Sequence, residues 1–591
     1  MNDRSATSFK RMIDIGIALS SERDHNRLME TILQEARDIC HADAGTLYLK
    51  TDKDSMKFEI MLNSTLPALN AGGTTGKDIT LPPVQLHDQI TGKPNHKNIA
   101  SHVALTGEST NIPDAYATDK FDFTGTMAFD KANKYRSTSF LTVPMINHEG
   151  DVIGVLQLLN AKDTETGEVI AFSSNLQPLV EALTSQAAVA LDNQNLIEAQ
   201  KKLLDSFIAM IAGAIDAKSP YTGGHCQRVP VLAMMLSQAA CDSKEGLYAD
   251  FDLTDDQRYE MEIAALLHDC GKVTTPEYVV DKATKMETIY DRIHEIRTRF
   301  EVLKRDAEIK YLQGQLDGGD AAALKTERDE KLAGLDEDYA FLANANIGGE
   351  FMSDDDIGRV KALAATTWTR TLDDRIGVSH EELKRMERVP AKSLPVEEPL
   401  LSDRPEHVIE RDPANKISPD NPFGFKMDEP TDMYNRGELY NMCIQKGTLT
   451  PEERYKINHH MVQTVTMLGQ LPFPKNLLKV PEIAGGHHET MIGTGYPKRL
   501  SKKDMSLPAR MMAIADIFEA LTACDRPYKK AKTLSESIKI LSFMKKDQHI
   551  DPDLFELFLK SGVYKIYAEK FLMPSQIDDV DISQYLDNGG S

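Results

Sequence analysis

An α+β domain built on an antiparallel sheet, joined by a long helix to an all-α domain that carries a large helical-hairpin and extended insertion, is the fold class this sequence predicts. Three changes of hydrophobic period predict it. Apolar residues alternate around 46–62 and again around 139–160, the mark of half-buried strands. From 179 onward they recur at helical spacing, and that character returns in 205–280 and 430–575. Between the last two lies a stretch unlike either flank, a charged helical period followed by a run of prolines.

Taken in order, residues 1–40 read as helix, with Met12, Ile15 and Leu19 and then Leu28, Ile32 and Ala36 at helical spacings. Leu47 and Leu49 alternate, a polar turn follows at 51–54, and Met56, Phe58, Ile60 and Leu62 alternate again, which predicts an antiparallel pair. A second pair runs through TSFLTVPMI, the turn Asn147-His148-Glu149-Gly150 and DVIGVLQLLN. The Gly-, Pro-, Thr- and Asn-rich segment between the pairs, about 63–136, reads as loops and a short helix over the sheet face. After Leu179 two rows repeat every seven residues: Ala182, Val189, Leu196 and Leu203 beside Leu183, Ala190, Ile197 and Leu204. That spacing suits a helix paired with its twin in a dimer; a long helix packed on its own domain is the alternative.

Residues 283–445 read as an insertion. Ile289, Ile293, Ile296, Phe300, Leu303 and Ala307 step by three and four, a turn follows at 317–320, and Leu332, Leu335, Tyr339 and Leu342 continue the pattern, so an antiparallel helical hairpin is expected. Pro390, Pro395, Pro399, Pro405, Pro413, Pro419 and Pro422 then require an extended strap.

The 591 residues suffice for three or four units. With 41% apolar and 27% charged residues, composition excludes wholesale disorder. The balance of 68 Lys+Arg against 91 Asp+Glu, net −23, excludes a broad cationic surface for DNA. No run approaches the roughly 18–20 apolar residues of a membrane span. Asp3 and Asp14 stand where a secretory signal would be basic and then apolar. Six scattered cysteines without a CxxC pair read as reduced thiols. The expectation is a cytoplasmic protein with neither a DNA nor a membrane partner.

Metal-type residues are unevenly placed. His225 lies in YTGGHCQRV, His268 and Asp269 in AALLHDCGK, His460 in NHHMVQTV, His487 and His488 in AGGHHETMIGTGYP, and Asp516 in AIADIFEALT. Neutral imidazoles with carboxylates are the ligand set of first-row divalent metals. Five histidines and two aspartates suffice for two ions about 3.5–4 Å apart, with one aspartate giving an oxygen to each. Gly493, Gly495 and Pro497 by themselves make a tight turn.

The order of helix, strand pair, loops, strand pair and exit helix resembles a GAF domain over about 21–195. This implies a six-stranded antiparallel sheet and a pocket between sheet and loops for a small-molecule ligand. Asn160 and Lys162 resemble the Asn-Lys start of the signature in cyclic-nucleotide-binding members, but Leu176 and Gln177 stand where its Asp-Glu end belongs; a dimerising scaffold is the alternative. His225 in HxxRV, His268-Asp269 in HDxGK, His460 after GTLTPEE, HHE with GxGYP, and Asp516 in ADxxxALT before RPY together resemble the HD-GYP family, an all-helical branch of the HD phosphohydrolases, over about 205–283 and 440–570. The two resemblances divide the chain into an N-terminal helix (1–20), the GAF sensor (21–195), a connecting helix (196–204), the HD-GYP domain with its insertion (205–575) and a tail (576–591).

The second resemblance implies a metal-dependent phosphodiesterase acting on cyclic di-GMP, giving linear pGpG or GMP. Two divalent transition-metal ions, iron(II) or manganese(II), are implied, one taking His225, His268, Asp269 and Asp516 and the other His460, His487 and His488, with Asp269 bridging. Asp269 and Lys272 carry the catalytic roles, Lys272, Arg526 and Lys529 grip phosphate, and the turn Gly493, Gly495, Tyr496 and Pro497 is implied to contact other signalling proteins. A homodimer is expected. Ile492 replaces the family's usual aspartate and Tyr221 stands where three-metal members carry a glutamate, which favours two ions and leaves two alternatives open: a phosphodiesterase for cyclic GMP-AMP, or a non-catalytic dinucleotide sensor.

Overall fold

Helix α1 (His25–Cys40) begins at Asp24, whose carboxylate accepts the Arg27 N–H. It lays Leu28, Ile32, Leu33 and Ala36 on one face of an eight-stranded sheet. The computed structural model describes residues 13–19, 21–22, 24–218, 224–244, 246–349, 351–523 and 531–586, in two units, Met1–Asp205 and Ser206–Ser591. In the first unit β1 (Ala42–Thr51), β2 (Ser55–Asn63), β3 (Ala71–Gly72), β4 (Val84–Gln85), β5 (Thr110–Ile112), β6 (Phe140–Ile146), β7 (Val152–Lys162) and β8 (Val169–Ile170) form an antiparallel sheet. Its order is β3-β2-β1-β7-β6-β5, with β4 on β2 and β8 on β7.

Alternation sorts the two faces. Leu47, paired with Ile60 and Leu156, joins the core under α1, while Tyr48 turns to the other face with Met56 and Val155. That second face is covered by α2 (Ile99–Thr106) and α3 (Thr124–Asn133), one helix more than the sequence suggested, because the α3 segment TGTMAFDKAN carries little apolar periodicity. A cavity of about 430 Å³ lies there, lined by Tyr48, Phe58, Phe123, Phe140 and Gln157 among others. Asn160 and Lys162 both bond within the domain. The Asn160 amide accepts the Thr138 N–H and donates to the Arg136 carbonyl, and Lys162 pairs with Asp43.

Helix α4 (Gln177–Lys218) is 42 residues long. Leu183, Ala187 and Leu191 pack into the sheet core, whereas Val189, Leu196, Ile197 and Leu203 are exposed. The start of the helix therefore serves its own domain, as the second reading of the seven-residue rows has it, while nearer its end Ile208, Ala212 and Ile215 are buried again.

The second unit is mostly helical. It contains α5 (His225–Asp242), α6 (Asp255–Leu267), the hairpin α7 (Ile293–Leu316) and α8 (Ala321–Ile347), then α9 (Pro451–Asn458), α10 (His460–Gln470), α11 (Val480–Gly485), α12 (Leu507–Thr522), α13 (Leu534–Lys546), α14 (Pro552–Lys560) and α15 (Val563–Phe571). Beyond the expected hairpin the insertion also holds helices at Asp354–Ala364, His380–Met386 and Glu438–Met442, and the proline-rich strap forms two short antiparallel pairs, Val396–Pro399 on Thr367–Arg370 and Val408–Glu410 on Asp432–Asn435, with single 3-10 turns at Pro405–His407 and Pro413–Asn415. Its following residues Phe423, Phe425 and Met427 pack on Val462 and Val465 of α10.

The sequence GTLTPEE starts α9. Thr450 accepts the Glu453 N–H, Glu453 returns a bond to the Thr450 N–H, and Pro451 occupies the first turn where no amide is needed. The Glu453 carboxylate also receives the buried Lys282 ammonium at 2.8 Å and 3.0 Å. Removing one partner of a buried pair leaves the other charge uncompensated, so Lys282→Ala should cost about 3–5 kcal/mol. A urea midpoint shift in the second unit's transition checks this, and an unchanged midpoint would refute it.

Candidate metal centre

Each ligand-type side chain sits at or near a helix end, except Asp516 in the middle of α12. His225 opens α5, His268 closes α6 with Asp269 following, His460 opens α10, and His487 and His488 follow α11. Their convergence depends on one close approach. The Gly271 N–H donates to Thr464 Oγ1 at 2.9 Å, and a Cβ on Gly271 would lie 2.0 Å from the His460 carbonyl oxygen. Any larger residue would push the Asp269 segment away from α10.

All seven residues meet in one buried cluster. His225 Nε2 lies 3.3 Å from Asp269 Oδ2, 3.2 Å from Asp516 Oδ1 and 3.3 Å from His268 Nε2. His268 Nε2 lies 3.2 Å from Asp269 Oδ2 and 3.7 Å from Asp516 Oδ1. The other carboxylate oxygen, Asp269 Oδ1, lies 3.2 Å from His460 Nε2. His460, His487 and His488 bring one nitrogen each within 4.8 Å of the others.

Tautomers follow from the far side of each ring. Nδ1 of His268, His460 and His487 lies 2.7, 2.6 and 2.7 Å from the carbonyl oxygens of Ala265, Ile457 and Ala484, three residues earlier in each case. A carbonyl can only accept, so Nδ1 carries the proton and, in the neutral ring, the Nε2 lone pair faces the cluster. Glu519 holds His225 Nδ1 in the same way and is itself gripped by Arg228 Nε at 2.6 Å. Lone pairs pointed at one another repel unless a cation or protons lie between them. Asp269 Oδ1, His460 Nε2 and His487 Nε2 are buried without a hydrogen-bond partner, an arrangement that suits a bound divalent metal.

Protons compete for the same lone pairs. Burial alone would lower the His268 imidazolium, but Asp269 and Asp516 outweigh it and carry its pKa up to about 9. His225, also opposed by burial, is held well above the ordinary imidazole value by Asp269, Asp516 and Glu519. Burial would raise Asp269, yet Lys272 and His268 hold it well below the carboxylate range. Burial, with His268 adding to it, takes His487 down to about 4. The centre therefore has one half rich in carboxylate and one half of imidazole, and both donor types suit a first-row divalent ion.

Among the other residues singled out from sequence, Lys272 reaches the cluster, its Nζ 2.6 Å from Asp269 Oδ2. Arg526, Lys529 and Tyr221 lie outside the described residues. Gly493, Gly495, Tyr496 and Pro497 form a turn beside the cluster, and the Tyr496 ring stacks on His488 at 4.8 Å. Gly495 is confined there, since a Cβ would fall 2.5 Å from the His488 carbonyl oxygen. Ile492 is exposed.

Two supporting carboxylates have no role in the sequence reading. Glu489, inside the HHE motif, accepts the Lys498 N–H at 2.6 Å and the Leu500 N–H at 2.8 Å, and so ties down the turn. Glu519 was detectable in principle, three residues after Asp516 on one helix face, as Arg228 is three after His225.

Residues 24–191 match the family model of the GAF domain and residues 395–554 that of the HD domain. His460, His487, His488 and Asp516 fall inside the HD match; His225, His268 and Asp269 precede it. A cyclic di-GMP phosphodiesterase of Pseudomonas aeruginosa is 36% identical over 123 residues, 21% of this chain and 28% of that protein. A 3′3′-cGAMP-specific phosphodiesterase of Vibrio cholerae is 34% identical over 116 residues, 20% of this chain and 26% of that protein. The chain thus spans little more than a quarter of the length of these relatives. The solved GAF domain of an Acinetobacter phosphoenolpyruvate-protein phosphotransferase aligns at 15% identity and a TM-score of 0.24, covering 34% of this chain and 99% of that one. No helix among the described residues is long and apolar enough to cross a membrane.

Supporting partners of metal-binding histidines typically set affinity by about 10–100-fold. Glu519→Ala should weaken divalent-metal retention by roughly that factor, measured by metal analysis after dialysis against a graded chelator. Retention equal to the parent's would remove Glu519 from the centre.

Proposed function

We propose that this chain is a metal-dependent phosphodiesterase that opens a cyclic dinucleotide, cyclic di-GMP by preference, under the control of its GAF domain. The observation that carries this reading is the Asp269 carboxylate, one oxygen turned to His225 and His268 and the other to His460. On this reading His225, His268, Asp269 and Asp516 would hold one ion and His460, His487 and His488, with Asp269 shared, would hold a second, iron(II) or manganese(II) suiting the mixed donors. Such ions would supply charge neutralisation for an anionic diester and an activated water at neutral pH.

The chain's own residues do the rest. Glu519 and the helix carbonyls hold the imidazoles in the ligating tautomer. Lys272 keeps its charge: burial would lower its pKa, but Asp269 and Asp516 raise it above the ordinary lysine value. A phosphoryl oxygen arriving beside Asp269 meets that ammonium, which stabilises charge as the P–O bond to the leaving ribose oxygen breaks. The products are the linear dinucleotide pGpG or, after a second cut, GMP.

Regulation has a physical carrier in α4. Its last residue, Lys218, donates to the carbonyl oxygens of Lys272, at 3.1 Å, and Val273. Two residues earlier Asp216 accepts the N–H groups of Gly224 and Cys226, both at 3.2 Å. A shift of this helix end would move Lys272 and His225 together, and a GAF ligand acts on output to the extent that it binds the two arrangements unequally. Cyclic GMP-AMP is the second reading for substrate, supported by the cGAMP-specific relatives and by Ile492 in the turn.

Anaerobic purification, metal quantification and chromatography of products from both cyclic dinucleotides test the proposal. Expected are linear or mononucleotide products from the parent, loss of metal and turnover in Asp269→Ala, and a kcat roughly 10²–10³-fold lower in Lys272→Ala with metal retained. Intact cyclic dinucleotides from metal-loaded parent would leave a non-catalytic sensor.

A further inference from the structure

We propose that a groove on the strap side of the ligand cluster is a subsite for the second, uncut half of the dinucleotide, with Lys426 of the insertion and Arg454 of α9 as its phosphate-binding side chains. The inference rests on the phosphodiesterase reading above and adds to it a substrate determinant peculiar to the inserted segment.

The groove has a volume of about 330 Å³. That is at the lower end of ligand pockets, roughly 300–1,000 Å³, and suits one nucleotide unit rather than two. One wall is the strap from Lys426, the other is α9 with Arg454 and Asn458 one helical turn apart, and the floor is the turn with Thr494 and Tyr496. Because Tyr496 stacks on His488, the floor of the groove is one ring away from the metal-type ligands. A substrate whose scissile phosphate lies over Asp269 could extend its other half across Tyr496.

The strap wall is fastened. The Lys426 N–H donates to the Pro497 carbonyl at 2.8 Å, so strap and turn are joined through backbone. On either side of that bond Phe425 and Met427 pack with Phe423 on Val462 and Val465 of α10, the helix that begins with His460. Insertion, turn and ligand helix thus form one surface.

Its charge is unusual for so acidic a chain. Lys426, Arg454 and Arg499 border the groove, and the Asp428 carboxylate there is engaged by Arg499. Neither the Lys426 ammonium nor the Arg454 guanidinium makes a hydrogen bond or ion pair among the described residues, and both are exposed at the rim. A guanidinium presents a planar fork to two phosphate oxygens, and a lysine adds a point charge. Tyr496 offers a ring for a base to stack on, while Asn458 and Thr494 offer polar groups to its edge. A diester with one phosphate would use the ligand cluster and leave this groove empty; a cyclic dinucleotide would fill both.

The test is steady-state kinetics of full-length, metal-loaded Lys426→Ala/Arg454→Ala against the parent, with cyclic di-GMP and with bis(p-nitrophenyl) phosphate, which carries a single phosphate. The expected result is a KM for cyclic di-GMP raised at least about tenfold with kcat within about threefold, a much smaller change in KM for the one-phosphate diester, and partial recovery in Arg454→Lys. Equal KM changes for both substrates, or none for either, would overturn the subsite while leaving cyclic di-GMP turnover by the parent intact. A parent that cleaves the small diester but no cyclic dinucleotide would instead overturn the reading on which the subsite rests.

Discussion

The Asp269 carboxylate faces imidazole nitrogens in two directions, Oδ2 at 3.3 Å from His225 and 3.2 Å from His268, Oδ1 at 3.2 Å from His460. Five helices, α5, α6, α10, α11 and α12, must deliver their ends or faces to the cluster around this one buried group, and separate constraints hold them there. Gly271 lets the Asp269 segment touch α10, Glu519 and Arg228 lock His225 to α12, and i−3 carbonyls orient the rings of His268, His460 and His487. Burial makes the arrangement demanding. Lone pairs and carboxylates at these separations are costly in a dry site unless positive charge sits among them. A centre built this way binds protons or metal ions in preference to remaining empty.

Around that centre the same economy of contacts recurs. Glu489 is adjacent to two ligand-type histidines, yet its oxygens go to backbone amides of the following turn. Its role is to hold Tyr496 against His488, which places an aromatic face next to the cluster. The strap then takes its position from that turn through a single backbone bond and from α10 through three apolar side chains. A segment that leaves the domain after α6 and wanders through a hairpin therefore returns as a wall beside the site.

The first unit separates its two faces by the two-residue period of its strands. One face is sealed by α1 and the start of α4; the other keeps an aromatic-lined cavity under α2 and α3. Asn160 and Lys162 find their partners inside their own unit. Both side chains are spent on bracing the loops and strand ends of their own domain.

Periodicity along the chain determined much of this protein unaided: the strand pairs, the long helix and the hairpin follow from spacing, because side chains three, four or two residues apart share a face wherever the backbone is regular, and the extended strap follows from its prolines. The metal-type residues pointed to a divalent-ion donor set for a similar reason, since donor type is a property of the side chain itself. Spacing carries no information about partners hundreds of residues away. Which oxygen of Asp269 turns to His460, that Glu519 rather than solvent holds His225, and that Lys426 of the strap lies beside Tyr496 are outcomes of helix packing and of close approach at Gly271 and Gly495. Only the folded chain, where excluded volume and burial choose among the contacts local spacing permits, decides them.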